Sequence, residues 1–384
     1  MMEYKKLGDI CDVVSGGTPS RSKSQFWNGG IPWLKIGNIR GKYVSEADEF
    51  ITEEGLSCSS AKMLKKGTIL YTIFATLGEA AILTIEACTN QAIAGITIKN
   101  EEIIDRDYLY YYLKSKKNYV NDIGRGVAQN NINMSILRGF EVPISEKFEQ
   151  KAITDILNKI GKIIEARKEG LNKLDNLIKA RFVELFGDPV YNQKGWEKVV
   201  LSDEAEIKIG PFGSLLHRED YITGGHALIN PSHIVEGQLA PDNDLTISDD
   251  KYAELIAYQL KEGDVVMGRR GEMGRCAVVD RPGLLCGTGS LLIRSKGNLS
   301  ADYIQKIISS PSFKRTIEDM AVGQTMPNLN VPIVSNFRII KPPKTIQDDY
   351  YRFVKQVDKS KVAIQKSLAE TQLLFDKLMQ DYFG

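Results

Sequence analysis

Histidine is the side chain most often used to move protons near neutral pH, and its distribution here is lopsided. His217, His226 and His233 all fall in the second half of the chain, so no catalytic arrangement built on histidine can occur twice. No glycine loop ends in Lys-Ser or Lys-Thr, and no Gly-x-Gly-x-x-Gly run opens a helical pattern, which removes the usual phosphate and dinucleotide cradles. Asn230-Pro231-Ser232 begins like the Asn-Pro-Pro-aromatic motif that holds a flipped adenine in methyltransferases. It lacks the second proline and the stacking aromatic, and reads as a turn. Pro241-Asp242 with Asp249-Asp250-Lys251 has the residue types of a metal-dependent nuclease, but the acids crowd one polar loop that has no counterpart in the first half. Cys11, Cys58, Cys88, Cys276 and Cys286 are scattered without a Cys-x-x-Cys pair; they read as buried thiols of a reducing compartment, with neither zinc nor disulfides.

What the chain does offer is recognition chemistry, in loops at matching positions of its two halves. Near a glycine turn lie Thr18, Ser20, Arg21 and Lys23 in the first half, and Ser214, His217 and Arg218 in the second. Next come Lys35, Asn38, Arg40 and Lys42, matched by Asn230, Ser232 and His233. A loop with Thr76 answers one with Arg269, Arg270 and Arg275, and Thr89-Asn90-Gln91 answers Gly287-Thr288-Gly289-Ser290, with Thr288 and Gly289 replacing Asn90 and Gln91. The last set is Arg125, Gln129, Asn130, Asn131 and Asn133, matched by Gln324, Asn328 and Asn330. Arginine pairs with guanine edges and phosphates, while asparagine and glutamine pair with adenine edges, so these loops suit the surface of duplex DNA. Asn133 and Asn330 are retained in both halves, as helix caps would be. Trp27 and Trp33 are expected to pack in the core beside a turn.

The elements that position these loops are written twice. Gly16-Gly17-Thr18-Pro19-Ser20 recurs as Gly210-Pro211-Phe212-Gly213-Ser214, Leu64-Lys65-Lys66-Gly67 as Leu260-Lys261-Glu262-Gly263, Asp107-Tyr108 as Asp302-Tyr303, and Phe186-Gly187 as Phe383-Gly384. The offset stays near roughly 195 residues throughout, the mark of a collinear tandem duplication. Each copy begins with Gly-rich, β-branched runs broken by turns, with short helices around Leu109 to Leu113 and Ile304 to Ile308. Each then ends in a long helix. Leu157, Ile160, Ile164, Arg167, Leu171, Leu174 and Ile178 follow coiled-coil spacing, as do Val354, Val357, Lys361, Ile364, Leu368, Thr371, Phe375, Leu378 and Tyr382. The expectation is an α+β chain with pseudo-two-fold symmetry: two mixed α/β domains separated by two long helices, each roughly 50–60 Å, paired as an antiparallel coiled coil. Ile153, Ile156, Ile163, Leu177, Phe182 and Phe186 flank the first seam, either packing on the domains or docking other subunits.

The 384 residues carry 50 Lys+Arg against 49 Asp+Glu, with 42% hydrophobic and 26% charged, so the chain is an ordinary globular one with no global basic charge. Only a locally basic face can meet DNA. The start, Met1 to Asp9, has no apolar stretch, giving a cytoplasmic expectation. Gly67 to Ile85 holds one charge, yet its counterpart carries Asp264, Arg269, Arg270, Glu272 and Arg275, so both read as buried strands around a loop rather than a membrane span.

Phe26-Trp27-Asn28-Gly29-Gly30-Ile31-Pro32-Trp33 followed by Ile36-Gly37-Asn38-Ile39, then Leu64-Lys65-Lys66-Gly67-Thr68-Ile69-Leu70, Thr89-Asn90-Gln91, Leu185-Phe186-Gly187-Asp188-Pro189 and Gly210-Pro211-Phe212-Gly213-Ser214, complete the pattern. In this order the chain resembles the specificity (S) subunits of type I restriction-modification systems over nearly its full length. The resemblance implies a first target-recognition domain at 1–145, a central spacer helix at 146–187, a second recognition domain at 188–342 and a C-terminal spacer helix at 343–384. It implies that each domain reads one half of a bipartite DNA sequence, and that the helices dock two methyltransferase subunits, joined for restriction by translocase-nuclease subunits. S-adenosylmethionine, ATP and magnesium would then belong to those partners, and this chain would hold no cofactor and no metal. The rival readings are a self-contained methyltransferase or nuclease with an unrecognised site, and a coiled-coil adaptor that binds only proteins.

Overall fold

The computed structural model describes residues 3–124, 131–321 and 328–384. The chain divides into two compact units, one formed by Met1–Glu169 with Gln365–Gly384 and the other by Gly170–Ile364.

In the first unit the short β-branched runs become β1 (Glu3–Lys6), β2 (Cys11–Ser15), β3 (Trp27–Leu34), β4 (Tyr43–Val44), β5 (Glu49–Ile51), β6 (Ile69–Thr72), β7 (Ala80–Leu83), β8 (Cys88–Thr89), β9 (Ile93–Ile98) and β10 (Glu141–Ile144). A five-stranded sheet runs β2-β9-β6-β7-β4, a smaller one runs β5-β3-β8, and β1 pairs with β10. Every residue of β6 and β7 is buried, so Gly67 to Ile85 does form interior strands around a loop. Helix Arg106–Ser115 starts where the Asp105 carboxylate accepts from the amides of Asp107 and Tyr108, and it buries Tyr108 to Leu113.

The second unit repeats the plan with β11 (Glu197–Val200), β12 (Ala205–Ile209), β13 (Tyr221–Ile222), β14 (His226–Ile229), β15 (Ile234–Val235), β16 (Gln238–Leu239), β17 (Thr246–Ile247), β18 (Gln259–Leu260), β19 (Val265–Gly268), β20 (Cys276–Val278), β21 (Leu284–Cys286), β22 (Ser290–Ser295) and β23 (Arg338–Lys341). The order β12-β22-β19-β20 mirrors β2-β9-β6-β7, and β17-β14-β21 mirrors β5-β3-β8. Even the parallel pairing recurs, with Trp33 and Leu34 opposite Cys88 and Thr89, and Leu228 and Ile229 opposite Leu285 and Cys286. Asn133 and Asn330 accept from the amides of Ile136 and Ile333, each capping a short helix as expected.

The two long helices, Lys147–Phe186 and Lys344–Phe383, have 40 residues each, and each contributes to both units. Gly187, at φ 74, ends the first of them. In the first unit Leu157 and Ile164 share a core with Phe375, Met379 and Phe383. There Arg167 donates to the Ser367 carbonyl at 2.8 Å and to the Thr371 hydroxyl, so two of the polar seam positions satisfy each other. In the second unit Phe182 and Phe186 pack on Tyr350 while Lys361 meets Asp175 at 2.6 Å. Numbering rises along one helix as it falls along the other, so the segments pair antiparallel. Among the described residues, no helix is long and apolar enough to cross a membrane.

Two expectations about packing are corrected. Trp33 is buried, but Trp27 is only half-buried: it stands edge-on to Trp33 at 5.1 Å with Arg21 on its face, at the start of β3 ahead of a register shift between Trp27 and Ile31. Cys58 is exposed, because it ends a short surface helix, whereas the other four cysteines are buried.

Candidate nucleic-acid interface

In the first unit the glycine turn is held by backbone proximity. A Cβ on Gly16 would lie 2.2 Å from the Asn90 carbonyl oxygen, and one on Gly17 would lie 2.3 Å from the Ala61 nitrogen. Only glycine allows three loops to meet here. The Trp33 and Trp27 indoles then donate to the carbonyls of Gly17 and Ser20, fastening the turn to the β3 strand. Arg21 lies with its guanidinium carbon 3.7 Å from the Trp27 ring centroid and donates to Glu49 at 2.5 Å, while Lys35 reaches the other Glu49 oxygen at 2.7 Å. Hydrogen bonds from Arg21 and then Lys35 hold the Glu49 carboxyl below the usual carboxylate range. Thr18 donates to the Gln91 side chain, and Lys23 sits 5.0 Å from the Phe26 ring. The result is a polar surface of Thr18, Arg21, Lys23, Lys35 and Gln91.

Other residues named from the sequence are occupied locally. The Asn38 side-chain oxygen accepts from the Lys35 amide, and that of Asn90 accepts from the Ala92 amide, so both shape turns. Arg40 is exposed, donating to the Gly37 carbonyl and lying 3.8 Å from Asp48. Lys42 turns inward: its side chain is 12% exposed, pairs with Asp107 at 2.8 Å and donates to Asn158 on the first long helix. Burial lowers its pKa, and the Asp107 hydrogen bond opposes that. Tyr111 and Asp107 also bond to Asn158, so this network ties helix Arg106–Ser115 and the segment before β4 to the first long helix, with the Lys42 charge turned away from the surface. Arg125, Gln129, Asn130 and Gln324 lie outside the described residues.

The second unit assembles the corresponding loops. A Cβ on Gly210 would lie 2.0 Å from the Gly287 carbonyl oxygen, repeating the Gly16 contact. Asn230 begins the short turn Pro231–His233, and its side-chain oxygen accepts from the Gly289 amide at 3.4 Å. Ser232 is exposed, but His233 is buried with Nδ1 2.8 Å from the Leu228 carbonyl oxygen. Arg269 donates to the Leu329 carbonyl at 2.9 Å, and its pKa is lowered by burial first and by neighbouring Arg270 second. Arg275 donates to Glu272 and to the Pro231 carbonyl. Arg218, Arg270 and Thr288 are exposed. The Asn328 side-chain oxygen is buried with no partner among the described residues. Arg269, Arg270, Asn230, Thr288 and Asn328 therefore converge, whereas Arg218 lies on a separate turn, Arg218–Asp220.

Hydrogen bonds also correct one alignment. Asn90 donates its amide to the Leu34 carbonyl and Gly287 to that of Ile229, the same position on β3 and β14. Asn90 thus corresponds to Gly287 and Gln91 to Thr288, one step from the sequence-based pairing. Sequence reasoning missed Phe74, which is 43% exposed beside Asn131, because an apolar residue in an apolar run gives no sign of facing outward.

The exposed loop residues offer hydrogen bonds and charges to a ligand. Burial pushes the thiols of Cys11, Cys276 and Cys286 up to about 12 and that of Cys88 to about 11, leaving them protonated and inert at neutral pH. Among the described residues, no group of His, Cys, Asp and Glu is placed to hold a metal ion. Asp249 and Asp250 open a helix capped by Ser248. Asp249 also approaches His226, which stacks on Tyr252 at 3.8 Å.

Comparison with known proteins gives a consistent family. A model of the type I restriction modification DNA specificity domain matches residues 1–176 and 193–372. The type I restriction enzyme MjaIX specificity subunit of Methanocaldococcus jannaschii is 26% identical, with the match covering 98% of this chain and 91% of that protein. The EcoR124I/EcoR124II specificity subunit of Escherichia coli is 29% identical over 177 residues, 44% of this chain and 43% of that protein. In fold, the chain is similar to the crystal structure of a type I restriction-modification S subunit from M. genitalium, with a TM-score of 0.61 at 15% identity, covering 100% of this chain and 96% of that one.

Proposed function

The chain belongs to the family of type I restriction-modification DNA specificity subunits, and on that premise we propose that each of its two units reads one half of a bipartite DNA sequence. The observation that carries this reading is a conserved frame with divergent contacts. The glycine turns at Gly16 and Gly210 press on the same neighbouring loop in each unit, yet that loop presents Gln91 in one and Thr288 in the other. A duplicated catalytic fold would keep its reacting groups identical; a duplicated reading head changes the residues that touch bases.

In this proposal the chain carries no catalytic site and no cofactor of its own. S-adenosylmethionine, ATP and magnesium act on partner subunits in the cytoplasm. Two methyltransferase subunits dock on the apolar positions that the long helices leave open, Ile156, Ile163, Leu373 and Leu374 in the first unit and Leu177, Val183 and Val362 in the second. Translocase-nuclease subunits join the same assembly for restriction.

Replacing residues 1–145 with the corresponding segment of another family member, and sequencing methylated adenines in cells that carry the native partners, tests the reading. One half of the methylated motif changes and the other stays. A motif that changes in both halves, or in neither, refutes it. Purified chain that consumes S-adenosylmethionine or cuts DNA alone supports the enzyme reading instead.

A further inference from the structure

The loops joining β6 to β7 and β19 to β20 are the same device carrying different tips. Thr72 donates its amide to the Glu79 carbonyl at 2.9 Å, and Gly268 donates to that of Arg275 at 2.8 Å. Ile73 donates to the Ala92 carbonyl at 2.9 Å and Arg269 to that of Gly289 at 3.0 Å. Ile73 and Arg269 in turn accept from the amides of Ile132 and Leu329. Ala75 at φ 61 and Gly271 at φ 81 make the same left-handed step. A side chain in that region is strained, so the first unit keeps the turn geometry even without the glycine that would relieve it. The residue just before this step is Phe74 in one unit and Arg270 in the other.

Both tips point outward beside the loop whose own exposed residues are Gln91 and Thr288. Phe74 is 43% exposed and outside the hydrophobic core. Arg270 is exposed and, among the described residues, makes no ion pair, while Arg269 next to it is locked to the Leu329 carbonyl. Neither tip is needed to close its loop, which the backbone bonds already do. Phenylalanine has no hydrogen bond to give, and at a base edge its ring packs on an apolar feature such as the thymine methyl, whereas arginine offers two donors that match guanine O6 and N7.

We propose that Phe74 and Arg270 are equivalent specificity-determining residues, with Phe74 selecting a thymine in one half of the recognised sequence and Arg270 a guanine in the other. The inference rests on the DNA-reading function proposed above. Arg269 is a positioning residue, since it acts by holding the loop.

The test uses the full chain with its native methyltransferase partners in cells, reading methylated adenines genome-wide for the parent, Phe74→Ala, Phe74→Leu and Arg270→Ala. Purified assemblies are then titrated with duplexes of the parent motif, each base pair substituted in turn. Phe74→Ala lowers discrimination at one A·T position of one half by about 10-fold and leaves the other half unchanged, while Phe74→Leu retains most of it. Arg270→Ala relaxes one G·C position of the opposite half by a similar factor. A parent without a sequence motif overturns the proposed function itself. A parent motif that both alanine variants keep, within about two-fold at every position, overturns only the assignment of the tips. Complete loss of methylation in Phe74→Leu as well as Phe74→Ala makes Phe74 a structural residue and also overturns it.

Discussion

Removing the Asp264 carboxylate is expected to loosen the second unit while sparing the first. Asp264 is 2% exposed and sits immediately before β19. Its oxygens accept from Arg294 at 2.8 and 2.6 Å and from the Lys261 amide at 2.7 Å. In Asp264→Ala the guanidinium of Arg294 keeps only its bond to the Gln259 carbonyl, and the Lys261 amide loses its acceptor. Breaking a fully buried ion pair costs about 3–5 kcal/mol. The Arg294 side chain is 26% exposed and partly rehydrates, so the lower end, about 3 kcal/mol, is the expected loss. Because two units need not unfold together, the assay is amide hydrogen exchange read peptide by peptide. Amides of β19 and β22 should exchange over a hundred-fold faster while those of β6 and β9 hold their rate, about the factor that 3 kcal/mol implies. Since β19 leads directly into Arg269 and Arg270, discrimination at the second half-site should fall alongside. A loss below about 1 kcal/mol would refute the argument that this pair is an internal brace.

Three further outcomes are expected. Phe186→Ala removes a fully buried ring that contacts Phe182, Tyr303 and Tyr350, and should cost about 3–5 kcal/mol by denaturant titration, with near-wild-type stability ruling out its core role. Gly16→Ala drives a methyl into the Asn90 carbonyl, so it should abolish reading of the first half-site while the second persists, as seen in duplex titrations. Glu49 has its folded pKa depressed by Arg21 and Lys35, so its contribution is present above the ordinary carboxylate pKa and is lost as pH falls through the depressed folded value. Emission from Trp27, which carries Arg21 on its face, should shift on acidification in the parent and already be shifted at neutral pH in Glu49→Gln.

The duplication, the strands around Gly67 to Ile85, the helix caps at Asn133 and Asn330 and the helix seams were all legible because they depend on local residue type and spacing. The polar seam positions were visible too, but not their partners: Arg167 finds Thr371 across 204 positions of chain. Lys42 illustrates the limit at the candidate interface. Its charge and its place beside Lys35, Asn38 and Arg40 put it among the residues suited to DNA, yet the Asp107 and Asn158 that claim it are distant in sequence. Phe74 illustrates the converse, since exposure is decided by the sheet it leaves and not by its own character. Loop contacts were read at the level of sets, because side-chain direction in a turn is set by hydrogen bonds such as Asn90 to Leu34 that no periodicity encodes.

The division of the chain into units also sets the order in which they can be completed during synthesis. The second unit is continuous, Gly170–Ile364, so all its residues are available once Ile364 has left the ribosome. The first unit needs Phe375, Met379 and Phe383 from the last stretch, although its sheets are made first. Leu157, Tyr108 and Tyr111 on the nascent chain therefore wait, with their apolar partners still unmade, through translation of more than half the protein. Such a delay leaves a sticky surface open at the stage when chains are most prone to aggregate, and makes the earlier-translated half the one more dependent on chaperones.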